Sequence, residues 1–201
     1  MAPAVPISEG GLSSQDNPTE NEFAKVKLSF LGKDMIKENK TTTIAEENKT
    51  RCELKNTKGI VVDQDRIKRF QATFQGEVMQ SADFGYEKAR RIWNACIDKH
   101  PGIIARCGSV ADVIAAVNFA RESELLVAVR GGGHNVSGRA VCDDGIVIDL
   151  SGMKGIQVDA KDRTARVQSG ATLGDVDRET HVFGLAVPAG IISKTGIAGS
   201  R

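Results

Sequence analysis

An apolar run at residues 125–129, followed at once by the loop 130–135 (Arg-Gly-Gly-Gly-His-Asn), constrains this chain more than any other feature. Five apolar residues bounded by glycine are typical of a buried strand. Three consecutive glycines remove every Cβ from the following turn, so φ can be positive and backbone N–H groups can converge on an anion. His134 comes directly after the glycines. The pattern predicts a strand that ends in a phosphate-binding loop.

Neither common nucleotide-binding signature fits this loop. The dinucleotide pattern G-x-G-x-x-G would need glycine where the chain has Val136, and the P-loop pattern would need a lysine after Gly138. A nicotinamide-dependent dehydrogenase is therefore disfavoured. The loop predicts a cofactor site of another kind.

A βαβ unit is predicted around the loop. Residues 103–105 are typical of a short strand, and Ser109 with Asp112 forms a capping-box pattern that opens a helix. We expect that helix to turn its apolar side chains inward. Residues 125–129 supply the next strand, so the loop lies at the carboxyl end, where open α/β sheets bind ligands. The side chains expected inward are Val110, Val113, Ile114, Val117 and Ala120.

Periodicity predicts further elements on both sides of this unit. Residues 85–99 show helical spacing, which places Trp93 in the core. Residues 146–150 are typical of a strand, and residues 156–158 can pair with 165–167 across a polar turn. Thr172 is predicted to cap a helix that ends at His181, with one side formed by Leu173, Val176 and Thr180.

Composition excludes several classes of function. There are 27 Lys and Arg residues against 26 Asp and Glu, and only one Trp, one Tyr and seven Phe, which disfavours nucleic-acid binding. No apolar run reaches the ~20 residues of a membrane span, and the N-terminus lacks a secretion signal. We expect a soluble cytoplasmic protein with no membrane partner. Four cysteines without metal-ligand spacing predict neither a metal site nor a disulfide framework.

Two regions are expected along the chain. Residues 1–59 are rich in Ser, Thr, Asn, Glu and Lys and predict a disordered extension. Residues 60–201 are expected to form the folded part.

Four segments of that folded part resemble one family. They are residues 129–138, 142–151, 166–172 and 188–199. Together they resemble the FAD-linked oxidases of the vanillyl-alcohol-oxidase/PCMH superfamily, specifically the berberine-bridge-enzyme-like proteins. The resemblance implies an α+β (α/β-like) fold, a PCMH-type FAD-binding domain. Since family members run to more than twice this length, it also implies that the chain is the N-terminal portion of that domain, truncated, without the substrate domain.

The resemblance also implies a cofactor site. The matching histidine, His134, is typically bonded to the 8α-methyl carbon of FAD; the alternative is a histidine that only hydrogen-bonds a phosphate or a carbonyl. Ile192 stands where some members carry a second, cysteinyl link, so bicovalent attachment is excluded. Arg130 could add a charge-assisted contact with the pyrophosphate. The implied FAD-binding residues are Arg130, Gly131, Gly132, Gly133, His134, Asn135, Ser137, Gly138, Gly190, Thr195, Gly196 and Gly199.

The implied function is oxidation of a small organic substrate, such as a sugar, an alcohol or a secondary metabolite, with dioxygen as electron acceptor. FAD carries out the redox chemistry. We expect little or no turnover from this chain alone, because the substrate domain is absent. A non-catalytic flavin-binding product, or an inert truncated product, is the alternative.

Overall fold

The computed structural model describes residues 52–199, so most of the predicted extension lies outside the described residues. Helices and strands alternate as far as residue 130, and three more strands and a helix follow. No helix within it is both long and apolar enough to cross a bilayer. The elements are α1 (Gln64–Thr73), β1 (Glu77–Met79), α2 (Tyr86–Ala89), β2 (Ile103–Arg106), α3 (Val110–Glu122), β3 (Val127–Arg130), β4 (Ile146–Asp149), β5 (Ile156–Asp159), β6 (Thr164–Val167) and α4 (Leu173–His181), before a 3₁₀ turn at Ile197–Gly199.

The main sheet has the strand order β1-β2-β4-β3. Strands β2 and β3 both run parallel to β4, which lies between them, and β1 is antiparallel to β2. The predicted strands at 103–105, 125–129 and 146–150 are confirmed, with β3 beginning two residues later than expected. Strands β5 and β6 form the predicted hairpin, with Ile156 opposite Val167. Because β2, β3 and β4 are parallel, their carboxyl ends share one edge of the sheet.

Helix α3 begins at the predicted capping box but turns a different face to the core. The Ser109 hydroxyl accepts from the Asp112 N–H, and the Asp112 carboxylate accepts from the Ser109 N–H. The buried apolar side chains are Ala116, Phe119 and Ala120, whereas Val110, Ile114 and Val117 are exposed, so only Ala120 of that expected inward set is buried, and Val113 packs partly against the core. The reason is the unpredicted helix α1, whose Phe70 ring stacks on Phe119 at 4.3 Å.

The predicted helix over 85–99 is wrong beyond its first turn, which is α2. Tyr86 and Ala89 are buried as the spacing requires. After Ala89 the chain folds back, since Arg90 pairs with both Glu87 and Asp98. The backbone N–H of Trp93 donates to the Gly133 carbonyl at 3.1 Å, and not to a carbonyl one turn earlier as it would in a helix. Trp93 is 71% exposed and is not a core residue.

Near its carboxyl end the described region has the helix that the sequence predicts, and at its amino-terminal end the folded part begins earlier than predicted. Helix α4 has the predicted Thr172 cap, and its buried side chains are the predicted Leu173, Val176 and Thr180. At the amino-terminal end, Leu54 is buried and Asn56 bridges to Leu125. Packing therefore includes residues just before position 60.

Candidate functional site

The glycine loop leaves the carboxyl end of β3 and needs its glycines for two different reasons. Gly133 has φ +71°, a conformation that residues with a Cβ rarely adopt. A Cβ on Gly131 would lie 2.5 Å from the Ser169 carbonyl oxygen. Of the three glycines, only Gly133 has a positive φ. Gly131 must be glycine because the Ser169 backbone lies too close to leave room for a Cβ.

Gly132 lies directly against Gly196. A Cβ on Gly132 would be 2.6 Å from the Gly196 nitrogen, and a Cβ on Gly196 would be 2.6 Å from the Gly132 nitrogen. The segment around Gly196 is tied to the start of α4, because the Leu173 N–H donates to the Thr195 carbonyl at 2.9 Å. The Ile197 N–H likewise donates to the Ala171 carbonyl at 3.0 Å. The structure therefore brings together two segments that are more than fifty residues apart in the sequence.

These two segments line a cavity of about 330 Å³, which we name the loop cavity. Its wall also includes apolar side chains that sequence reasoning missed, among them Val129, Ala140 and Leu150. Gly138 is buried against Ile97 and Gly190 faces Leu173, so these two lie apart from the cavity wall. The predicted site residues that do line it are Gly131, Gly132, Gly133, His134, Asn135, Thr195, Gly196 and Gly199.

His134, a residue of the cavity lining, has one ring nitrogen that is unsatisfied. Its Nδ1 is buried and has no hydrogen-bond partner within residues 52–199. The position where Gly132 would carry a Cβ is 3.4 Å from this nitrogen. Leaving a buried polar atom unpaired costs ~1–3 kcal/mol, so the atom indicates a missing partner. On its other side the imidazole stacks on Trp93, with ring centroids 5.7 Å apart.

Arg130 is held in a buried ion pair at the base of the loop. Its side chain donates to the Asp149 carboxylate and to the Ala89 carbonyl, both at 2.6 Å. Asp149 is 1% exposed. Burial by itself raises the pKa of Asp149, but the hydrogen bond and charge of Arg130, with the N–H of Ser151, hold it below its usual value. A contact between Arg130 and a phosphate stays a prediction that competes with this pair.

The pair belongs to a row of alternating charges across the whole sheet. In the order β1-β2-β4-β3, the residues in register are Glu77, Arg106, Asp149 and Arg130. Arg106 contacts Glu77 at 2.6 Å and Asp149 at 3.4 Å. The row lines a second cavity, of about 400 Å³, which shares Gly131, Gly132 and Gly133 with the loop cavity. The sequence signal that could have revealed this row is the charged residue that ends each of β2, β3 and β4.

One protein family matches the part of the chain that contains both segments of the loop cavity. The family model for an FAD binding domain matches residues 101–200. The chain carries a domain of this FAD-binding family. An FAD-linked oxidoreductase of Dictyostelium discoideum is 37% identical over 134 residues, which cover 66% of this chain and 29% of that protein.

Two solved structures are similar to this chain. The 6-hydroxy-D-nicotine oxidase of Arthrobacter nicotinovorans is 40% identical with a TM-score of 0.61, over 63% of this chain and 28% of that one. The BBE-like 1 protein of Physcomitrella patens is 27% identical with a TM-score of 0.63, over 66% and 29%. The predicted PCMH-type FAD-binding fold is confirmed. The chain spans less than a third of the length of these relatives.

The described residues fit FAD. The contact of Gly132 with Gly196 leaves backbone, without side chains, along one wall of the loop cavity, as a pyrophosphate requires. His134, whose Nδ1 is buried and unpaired, lines the same cavity. Within residues 52–199, no group of three or more His, Cys, Asp or Glu side chains could hold a metal ion.

Proposed function

We propose that this chain holds FAD in the loop cavity, and that His134 bonds covalently to the flavin. The observation that carries the proposal is the buried, unpaired Nδ1 of His134 beside the contact of Gly132 with Gly196. In this proposal the backbone N–H groups of residues 131–133 bind the pyrophosphate, and residues 195–199 form the opposite wall. Residues from Leu54 onward form the FAD-holding part of the chain.

Backbone donors suit the charge that the loop cavity offers. Its lining contains no Lys or Arg side chain within the described region, and Arg130 is already paired with Asp149. A pyrophosphate there would rely on backbone N–H groups of the loop, whose conformation requires glycine at Gly133, with φ +71°. Asn135 and Thr195, both in the lining, can add polar side-chain contacts.

In this proposal the imidazole of His134 would hold the flavin as a tether. Its ring nitrogen would replace a hydrogen on the 8α-methyl carbon, and the two electrons and two protons released from the N–H and C–H bonds would pass to dioxygen as hydrogen peroxide. When bound, FAD supplies a two-electron acceptor for the substrate.

The tether is tested on the full chain expressed with added FAD. Wild-type protein, precipitated with acid and run on a denaturing gel, should give a flavin-fluorescent band. His134→Ala should release all flavin to the supernatant. His181→Ala is the matched control, since His181 is exposed at the end of α4, and it should keep the fluorescent band. A colourless wild-type pellet would refute the covalent bond.

For the whole protein, we propose oxidation of a small organic substrate such as a sugar, an alcohol or a secondary metabolite, with dioxygen as acceptor. The similarity to 6-hydroxy-D-nicotine oxidase supports an oxidase of this kind. One observation favours a non-catalytic flavin-binding chain as the alternative. The lining of the loop cavity, within residues 52–199, includes no Asp, Glu, Lys or Tyr that could act as a base. Hydrogen peroxide release by the flavin-loaded chain, measured against a panel of such substrates, distinguishes the two.

A further inference from the structure

The dipeptide Trp93-Asn94 braces the loop on both sides of His134. The backbone N–H of Trp93 donates to the carbonyl of Gly133, the residue before His134, at 3.1 Å. The Asn94 side-chain amide donates to the carbonyl of Val136, two residues after it, at 3.0 Å. The Trp93 ring stacks on the imidazole itself, with an interplanar angle of 27°. We call these two residues the brace.

The brace lies where neither packing nor helix formation requires a tryptophan. Trp93 is 71% exposed, so its ring contributes little to the core, and an exposed Trp is rare without a contact to serve. The segment departs from helical geometry after Ala89 and reaches the loop by these two hydrogen bonds. Two hydrogen bonds and one ring contact from this dipeptide thus reach residues 133–136, while the Asn94 side-chain oxygen accepts from the Cys96 N–H within its own segment.

The brace limits how the imidazole can turn. An unrestrained histidine samples three χ1 wells and about two χ2 orientations, so a single productive orientation would be occupied about one-sixth of the time. The Trp93 ring covers one face of the imidazole, while Nδ1 lies near Gly132. With the backbone fixed at Gly133 and Val136, one orientation is held before any flavin arrives.

We propose that Trp93 and Asn94 are positioning residues, which hold the His134 imidazole in the orientation from which it bonds to the flavin. This inference rests on the proposed covalent function of His134. Neither residue touches the reacting atoms in this scheme. Both act through His134, which is why a change in the rate of bond formation, rather than in FAD affinity, is the expected effect.

The first measurement needs no flavin and tests the ring directly. The chain has only three histidines, so the NMR signals of histidine-labelled full chain can be assigned by substitution. Trp93→Ala should move the ring signals of His134 and leave those of His100 and His181 unchanged. Trp93→Phe should leave the His134 signals closer to their wild-type positions than Trp93→Ala does, because an aromatic ring still stacks there. Unchanged His134 signals in Trp93→Ala would overturn the brace.

The second measurement follows covalent flavin incorporation with time after FAD is added to the flavin-free full chain. Trp93→Ala should slow bond formation measurably, by up to about sixfold from the rotamer count alone. Trp93→Phe should recover most of the rate, and Asn94→Ala should slow bond formation in the same direction. The equilibrium binding of FAD before bonding should change by less than about twofold.

Phe84→Ala is the matched control, because Phe84 is an exposed aromatic residue lining the same second cavity as Trp93. It should leave the rate unchanged. Wild-type bonding with an equal rate in Trp93→Ala would overturn the positioning role alone. Wild-type protein that binds FAD without ever forming the bond would overturn the proposed tether, and this role with it.

Discussion

Placing one methyl group at Gly132 should separate the two walls of the loop cavity. The Cβ of Gly132→Ala would lie 2.6 Å from the Gly196 nitrogen and 2.7 Å from its Cα. Ordinary contact begins near 3.4 Å, so one backbone must move by about 0.8 Å. Both neighbours are backbone atoms, which cannot rotate away as the end of a side chain can.

The cost follows from what holds residues 195–197 in place. Moving them by that distance strains the bonds from Leu173 to Thr195 and from Ile197 to Ala171. Each such hydrogen bond contributes ~0.5–1.5 kcal/mol, and overpacking typically costs ~1–3 kcal/mol. A loss of ~1–3 kcal/mol lowers the thermal midpoint by roughly 2–10 °C in a domain of this size. FAD retention should fall as well, since the wall that would bind it is displaced.

Differential scanning fluorimetry and flavin content, measured on the same preparations, check both effects. Gly199→Ala is the control for the thermal midpoint within the same segment, because a Cβ there meets nothing within 4 Å. Gly196→Ala, the reciprocal change, should reproduce Gly132→Ala. If Gly132→Ala matched Gly199→Ala in midpoint and wild-type protein in flavin content, the argument from the close approach would be refuted.

Three further measurements test the packing and electrostatics. Asp149→Asn leaves a buried guanidinium without its anion and should cost about 3–5 kcal/mol in urea unfolding; a loss under about 1 kcal/mol would contradict the buried pair. Hydrogen bonds from the N–H and hydroxyl of Thr172 lower the pKa of Asp175 to about 2, so its stabilisation is complete above pH 4 and is lost as pH falls through 2. The urea midpoint of wild-type protein should therefore fall over that range more steeply than that of Asp175→Asn. Iodoacetamide at pH 8 should modify the exposed Cys96 quickly. Burial raises the pKa of the Cys107 and Cys142 thiols to about 11, so the reagent should modify these two only after the protein unfolds.

Elements with local signals could be predicted from the sequence. Strand β4 is a continuous apolar run, and the caps at Ser109 and Thr172 depend on a carboxylate three residues ahead in the chain. These features are decided within a few residues, so no tertiary information is needed. The glycine loop belongs to the same group, since its conformational freedom is a property of glycine itself.

Elements decided by distant contacts could not be predicted. Residues 90–99 have helical spacing, but the link from Trp93 to Gly133 outweighs it. The face of α3 was misassigned because its partner, Phe70, lies on helix α1, which was not predicted. The contact between Gly132 and Gly196 has no local signature at all. Which residues bind the cofactor stays a prediction, because FAD contacts depend on such approaches.

The position of β4 between β2 and β3 has a consequence for how the chain acquires its structure during synthesis. Neither β2 nor β3 pairs with the other, so a nascent chain that has reached residue 140 holds two apolar strands without their shared partner. Closing the sheet requires β4 to insert between strands that were made earlier, which is a non-local and therefore slow event. Until residues 146–149 emerge, Ile103, Ile104 and Ala128, which are buried in the folded protein, are exposed to other chains. Ribosome-bound chains halted before residue 146 should therefore recruit chaperones more strongly than chains halted after α4.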